Sequence, residues 1–279
     1  MSNINSSKLK LEEIEIQLLL EGIYQCYGYD FRNYATSSLK RRIRRILEAE
    51  NLDTVSALQA QVLHDPECLQ RFLLGITVNV TSMFRDPSFF VAFRQHVVPL
   101  LRTYPYIRIW HAGCSQGQEV YSMAIVLQEE GLYSRCRIYA TDTNERVIKQ
   151  AKSGIYPIGL MQQYTQLYLQ AGGKHSFSEY YTAAYDNAIF RNSLKDNIVF
   201  SQHNLATDHS FNEFHVILCR NVLIYFDKIL QKRVHQLFHE SLCKLGVLCL
   251  GRQESMRFSP YEHDYESIEK TEKIYRRLS

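Results

Sequence analysis

At 279 residues, 46% apolar and 22% charged with a formal net charge of +3, the chain has the make-up of an ordinary globular protein of one large or two modest domains. No apolar run approaches the ~18 residues needed to cross a bilayer, and the N-terminal MSNINSSKLKLEE lacks the apolar core and small-residue cleavage site of a signal peptide. Seven cysteines, odd in number and without a CxxC pair, argue against a disulfide frame or a zinc site and read as the reduced thiols of a cytoplasmic protein.

The first quarter reads as helices. Leu11, Ile14, Leu18 and the pair Leu19/Leu20 recur at helical spacing and continue to Ile23 and Tyr27. A second helix begins near Ser37, with Leu39, Ile43, Ile46 and Leu47 on one face. Asp53 or Thr54 can cap a third, carrying Val55, Leu58 and Val62. Asp65-Pro66 opens a fourth, aspartate suiting the cap and proline the first helical position. With no strand signal before Thr77, residues 1–76 are expected to form an all-α N-terminal domain. Asp86-Pro87 then opens a helix through Phe89, Phe90 and Phe93, within a linker placed at 77–104. Strands at Ile107–Ala112, Ile138–Thr141, Ile198–Ser201, His215–Cys219 and Gly246–Gly251 alternate with helices at Glu119–Glu130, Asn144–Lys152 and Lys228–Leu242. This rhythm implies βαβ units and a mostly parallel sheet covered on both faces, so residues 77–279 are expected to be a Rossmann-like α/β domain. Residues 155–196 interrupt it. They hold Tyr156, Tyr164, Tyr168, Tyr180, Tyr181 and Tyr185 together with Gly172-Gly173, and read as an inserted subdomain.

The strand ending at Ala112 runs into Gly113-Cys114-Ser115-Gln116-Gly117 and then a helix. Ligands bind at the carboxyl ends of parallel strands, and glycines there let backbone approach a ligand closely. Neither GxGxxG nor GK[ST] is present, and a bare GxxxG is equally at home in a tight turn. The next strand ends in Ala140-Thr141-Asp142, the place where nucleoside-binding α/β folds hold a ribose hydroxyl pair, since a carboxylate accepts two hydrogen bonds. Without a diphosphate-type glycine pattern, an adenosyl ligand lacking phosphates fits better than NAD. That points to S-adenosylmethionine.

Five segments follow one another in an informative order: NVTSMFRD (Asn79–Asp86), HAGCSQGQEVYSMA (His111–Ala124), YATD (Tyr139–Asp142), HNL (His203–Leu205) and LCRNVLIYFD (Leu218–Asp227). Together they resemble the chemotaxis receptor methyltransferases, the CheR family, from about Tyr24 to Tyr275. The resemblance implies an enzyme that transfers methyl from S-adenosylmethionine to glutamate side-chain carboxylates of a bacterial chemoreceptor or related signalling protein, giving methyl esters and S-adenosylhomocysteine. Carried over position by position, its cofactor contacts fall on Asn79, Thr81, Arg85, Glu119, Asp142, Asn204, Leu205, Arg220 and Asn221. Gln118 stands where the family usually has a first acid and is not carried over. Arg85 and Tyr225 are the catalytic candidates, polar groups near the transferred methyl, and Arg85 can fork onto a carboxylate of cofactor or substrate. Read from the residues alone, Arg85 can instead pair with Asp86, and Asn221 can be a turn residue.

A substrate glutamate, with pKa ~4.3, is ionised at pH 7 and needs no general base; positioning can contribute on the order of 7–11 kcal/mol. Lys40, Arg41, Arg44 and Arg45 form i, i+4 pairs on one face of the second helix, opposite Leu39, Ile43 and Ile46, with Arg42 on the flank. Such a stripe either faces solvent or meets something negative, and RNA would satisfy it as well as an acidic protein. The resemblance implies docking on the acidic helical bundle of a receptor. Against nucleic acid, CRNVLIYF stands where many base-directed methyltransferases carry (D/N)PP(Y/F). Residues 171–194 lack the GxGxxxG-type loop of members that tether to a receptor's C-terminal pentapeptide, so a pentapeptide-independent enzyme is expected. The pair His235/His239 has no third ligand in view, and no metal is expected. A catalytically silent adaptor is the remaining alternative, opposed by Asn79, Arg85, Glu119, Asp142 and Asn221. The expectation is a cytoplasmic monomer with no nucleic-acid partner and no membrane insertion.

Overall fold

In a computed structural model, residues 2–77 and 81–279 are described, with side chains described from residue 10 onward. Asn79, one of the expected cofactor contacts, lies outside the described residues. The chain divides into two compact units. One holds the helices α1 (Ser2–Tyr27), α2 (Thr36–Glu50), α3 (Val55–His64) and α4 (Pro66–Ile76), together with Tyr225–Gln231. Its core is Ile16, Leu19, Leu20 and Ile23 of α1 with Leu39, Ile43 and Ile46 of α2, Leu58 and Val62 of α3 and Phe72 of α4. Leu11, Ile14 and Leu18 are more than half exposed. Successive helical residues step by 100°, so the run Leu18-Leu19-Leu20 spans too wide an arc for all three to face one core. Thr54 caps α3, accepting from Ala57 N at 3.2 Å, and Asp65 caps α4, accepting from Glu67 N at 2.8 Å. The distant segment joins this unit through backbone: Ala35 N donates to Tyr225 O (2.8 Å) and Asp227 N to Asn33 O (2.9 Å). The Phe226 ring meets Tyr34 edge-on at 5.0 Å.

The basic helix departs from its expected layout. Arg42 is not on a flank but buried, donating to Ile76 O at the end of α4 and lying 4.5 Å over the Tyr225 ring. Lys40 pairs with Glu13 at 2.6 Å and Arg44 with Glu12 at 2.9 Å, so α1 supplies the acids that α2 lacks. Arg41 and Arg45 are exposed, and no ion pair joins them to the described residues.

The second unit is built on a seven-stranded sheet. Its strands are β1 (Ile107–Ala112), β2 (Cys136–Asp142), β6 (Ile198–Gln202), β7 (Phe214–Cys219), β8 (Leu242–Leu250), β9 (Tyr265–Glu269) and β10 (Ile274–Arg277), in the order β6-β2-β1-β7-β8-β10-β9. The first five run parallel, and β10 is antiparallel to both its neighbours. Because β2 lies on one side of β1 and β7 on the other, the strand order reverses at β1, which opens a crevice at its carboxyl end. Helix α7 (Gln118–Glu129) follows β1, and its stretch Val120–Leu127 is entirely buried, which is why it reads as almost continuously apolar. The segment opening at Asp86-Pro87 is α5 (Pro87–Ala92), which passes through a wide π-type turn (93–97) into α6 (Val98–Leu101). Pro99, without an N–H, sits in the first turn of α6, where proline is tolerated.

Helix α8 (Glu145–Ser153) leads into the insert. This comprises β3 (Ile155–Pro157), α9 (Met161–Gln170), β4 (Tyr181–Ala184) and β5 (Asn187–Phe190), with an antiparallel sheet in the order β3-β5-β4. The insert has no core of its own. Tyr156, Tyr164, Tyr168, Phe177, Tyr180 and Phe190 belong to the same apolar cluster as Val120 and Ile125 of α7. Buried Glu129 accepts from Tyr180 OH (2.9 Å), Lys174 N (2.9 Å), Tyr168 OH and Arg94. The tyrosines are therefore wall and anchor, apart from Tyr185 at the β4–β5 tip, which is fully exposed.

Candidate active site

Two strands and the turns after them build the site. Beyond β1 the chain turns back at once: Gly113 N and Cys114 N both donate to Thr141 O of β2, at 2.9 and 2.8 Å. Gly117 sits at φ +88°, where a side chain is strained, and an added Cβ would stand 2.8 Å from that of Ala151. At the end of β2, half-buried Asp142 is held rigidly. Its two carboxylate oxygens accept from Ser115 N (2.9 Å) and Asn144 N (3.1 Å). Burial pushes its carboxyl above the ordinary aspartate value, and these backbone N–H groups offset only part of that shift. Ser115 Oγ and Asn144 Nδ2 are buried beside it without a partner among the described residues.

The turn after β7 brings a second group of charges. Arg220, whose side chain is almost wholly buried, donates to Glu119 at 2.7 Å and to Asp86 at 2.9 Å, and lies 3.9 Å over the Phe89 ring. His111 Nδ1 is 3.3 Å from the other oxygen of Glu119. Burial raises the Glu119 carboxyl, but the Arg220 guanidinium and His111 outweigh it and hold the group down at about 2. Phe84 N donates to Ser122 Oγ of α7 (2.9 Å), fixing the segment that carries Arg85. Arg85 is half-buried, and its carbonyl lies 3.5 Å from both terminal nitrogens of Arg220.

Among the described residues, the expected cofactor contacts therefore gather at one end of the sheet, though with different duties. Glu119, Arg220 and the backbone of Arg85 form one network, and Asp142 forms another with the glycine loop. Asp86 pairs with Arg220. Thr81 is half-buried ahead of them. Asn204 sits one residue after His203, whose N donates to Asp142 O (3.1 Å); Asn204 Oδ1 accepts from Ala206 N (3.0 Å) and Leu205 is buried. Asn221 is indeed a turn residue, at φ +60°, with its N–H bonded to Glu254 at 3.0 Å. Tyr225 groups with the helical unit. Sequence reasoning missed Ser115, Asn144, His111, Asp86 and Glu254 as members. Ser115, inside the GxxxG stretch, His111, at the head of the HAGCSQGQEVYSMA segment, and Asp86, inside the NVTSMFRD segment, carried a signal; Asn144 and Glu254 did not. The two histidines of α10 (Lys228–Ser241) have separate surroundings. His235 is buried with its charged form suppressed, at about 4, His239 stacks on Tyr261, and the described residues hold no cluster of three or more metal-binding side chains.

These groups fit an adenosyl ligand. A fixed carboxylate at the end of β2 offers two acceptors, and unsatisfied buried donors and acceptors flank it. A mixed sheet with one antiparallel strand near its far edge and a glycine turn after its first strand is the architecture of Rossmann-like S-adenosylmethionine-dependent methyltransferases. The chain matches the SAM binding domain of the CheR methyltransferases over residues 79–274 and their all-alpha domain over residues 14–77. It belongs to the CheR methyltransferase family, and S-adenosylmethionine is its cofactor. A Pseudomonas putida protein named methyltransferase Cher3 is 54% identical over 265 residues, 95% of this chain and 97% of the relative. A chemotaxis protein methyltransferase of Listeria monocytogenes is 30% identical over 82% of this chain and 85% of its own length. That of Salmonella typhimurium is 29% identical over 90% and 86%.

Proposed function

We propose that this chain methylates glutamate side-chain carboxylates of a chemoreceptor or related signalling protein, giving glutamate methyl esters and S-adenosylhomocysteine. The observation that carries this reading is the rigid Asp142 carboxylate at the end of β2, in a chain whose relatives over four-fifths of its length are named chemotaxis protein methyltransferases. Bound, S-adenosylmethionine supplies a methyl on a positively charged sulfur; the O–CH3 bond forms as the S–CH3 bond breaks and the electron pair stays on sulfur. The substrate carboxylate is already ionised at neutral pH. The chain's own contribution is therefore positioning and charge. Asp142 would accept the ribose hydroxyls. Glu119, ionised down to about pH 2, would hold the amino-acid end. Arg220 has spent its terminal nitrogens on Glu119 and Asp86, so it acts by orienting those acids. Arg85, Thr81, Asn79, Asn204, Leu205 and Asn221 complete the cofactor contacts in this proposal, with Arg85 and Tyr225 as the polar groups nearest the transferred methyl.

For the partner, the exposed cations Arg41 and Arg45 are the core of the docking stripe, while Lys40 and Arg44 are partly neutralised by Glu13 and Glu12. The acceptor is an acidic helical bundle, and the enzyme works on it as a cytoplasmic monomer without a pentapeptide tether. The described residues contain no helix long and apolar enough to cross a membrane. The deciding experiment incubates purified protein with labelled S-adenosylmethionine and receptor-containing membranes, with and without the receptors' C-terminal pentapeptide. Base-labile label on receptor in both samples is expected. Label that resists base, or that appears on RNA instead, would refute the proposal.

A further inference from the structure

Glu254 follows β8 in the turn beyond Gly251 and is 4% exposed. Its carboxylate is filled by backbone alone. One oxygen accepts from Asn221 N (3.0 Å) and Gly251 N (2.6 Å), the other from Val222 N (2.8 Å) and Ile224 N (3.3 Å). Three of those four amides belong to the turn leaving β7. Amides converging on one point make an anion-binding concavity, and here the chain fills it with its own carboxylate. The arrangement is costly, since burial pushes the Glu254 carboxyl upward even against four N–H donors. Asn221 is held at φ +60°, a left-handed conformation that asparagine adopts more readily than most residues. Gly251 permits it: a Cβ there would stand 2.7 Å from Glu254 Oε2 and 2.8 Å from Asn221 N. A turn needing only to be closed has cheaper solutions. What this one carries is Arg220, which orients Glu119 and Asp86, and Asn221.

We infer that Glu254 is a positioning residue for methyl transfer, clamping the turn after β7 so that Arg220 and Asn221 keep the geometry the cofactor requires. The inference rests on the placement of Asn221 at the cofactor proposed above. Glu254 touches neither reactant in this account and works only through the turn.

The test is calorimetry with S-adenosylhomocysteine on Glu254→Gln, Asn221→Ala and the double variant, with melting temperatures measured alongside. Glutamine preserves the volume but turns an NH2 toward backbone donors, so at least two of the four bonds are lost. Each single variant is expected to weaken binding about tenfold or more. The losses in the double variant should add only in part, because Glu254 acts partly through that residue and partly through Arg220. Receptor methylation should show a lowered kcat with KM for receptor unchanged. A Glu254→Gln protein with a lowered melting temperature but wild-type affinity would overturn the clamp, as would losses that add in full. Wild-type affinity in Asn221→Ala would instead remove Asn221 from the site, and the inference with it. Should Glu254→Gln not fold, Gly251→Ala keeps the carboxylate but crowds it. Binding weakened several-fold is then expected, and unchanged affinity would count against the clamp.

Discussion

Two acids at the candidate site are tuned in opposite directions, and that difference can be read by titration. Asp142 is raised by burial, so its carboxylate form is the strained one in the free protein. A ligand that needs the carboxylate binds fully above this raised pKa and progressively less below it. The affinity for S-adenosylhomocysteine should therefore hold steady at high pH and fall on acidification, starting at a higher pH than an ordinary aspartate would allow. Asp142→Asn should bind more weakly by ~1.5–3 kcal/mol and lose that slope; calorimetry across the range decides, and an unchanged affinity would remove Asp142 from the site. Glu119 behaves inversely. Its folded pKa is depressed to about 2, so it contributes stability above its unfolded value of ~4.3 that is lost as pH falls through the folded one. Glu119→Gln should cost about 2 kcal/mol at pH 7. That is less than the ~3–5 expected for a buried charge left alone, because Asp86 stays on Arg220. In urea denaturation the gap between wild type and variant should be constant from neutral pH to about 5 and narrow below it; a gap that widens in acid would contradict the assignment. The glycine loop and the strand-end acid were legible because strand-length apolar runs alternating with helical stretches locate strand ends without tertiary information. Glu254 was not, since nothing local in Gly251–Met256 announces that its carboxylate belongs to a turn thirty positions earlier.

Among the elements, α2 tests how far charge pattern can be trusted. From its own sequence it is a stripe of five cations. In the fold, α1 answers two of them and Arg42 goes inside, its guanidinium over Tyr225. Pairing of this kind lies beyond the reach of i, i+4 reasoning, because Glu12 and Glu13 are on another helix, about thirty residues earlier in the chain. The exposed remainder gives a sharper experiment than the full stripe would. Arg41→Glu with Arg45→Glu should raise KM for receptor and leave S-adenosylhomocysteine affinity unchanged. A docking contact present equally in ground and transition states alters KM more than kcat. Wild-type activity should also fall more steeply with salt than the variant's, since the Debye length is already ~10 Å at 0.1 M. Equal KM and equal salt dependence would reduce the two arginines to solvated surface. The short strands β9 and β10 were missed for a different reason. Four or five residues each, flanked and filled by charges, they owe their pairing to β8 rather than to any alternation of their own. The insert's tyrosines, conspicuous in sequence, turned out to line a core shared with α7, a role that composition alone cannot distinguish from a binding surface.

At the scale of the whole molecule, chain order and compact units do not coincide. The chain leaves the sheet unit after Ile224, lends Tyr225–Gln231 to the helical unit, and returns at Lys232. The helical unit therefore depends on residues about 150 positions beyond α4 for part of its hydrogen bonding and packing. Ala35 N has its acceptor in Tyr225, and Phe226, 6% exposed, packs edge-on against Tyr34. Phe226→Ala opens a cavity of a kind that costs roughly 3–5 kcal/mol when the surroundings cannot collapse. The loss should be local. Hydrogen exchange on the variant is expected to speed at amides of α2 and α4, while the central strands β1 and β7 keep their protection. A fragment ending at residue 79 lacks the whole returning segment and should melt below the helical unit of the intact chain. If that fragment were as stable as its counterpart in the full protein, or if Phe226→Ala left α2 exchange unchanged, the returning segment would be a passenger. The four helices would then close their core unaided.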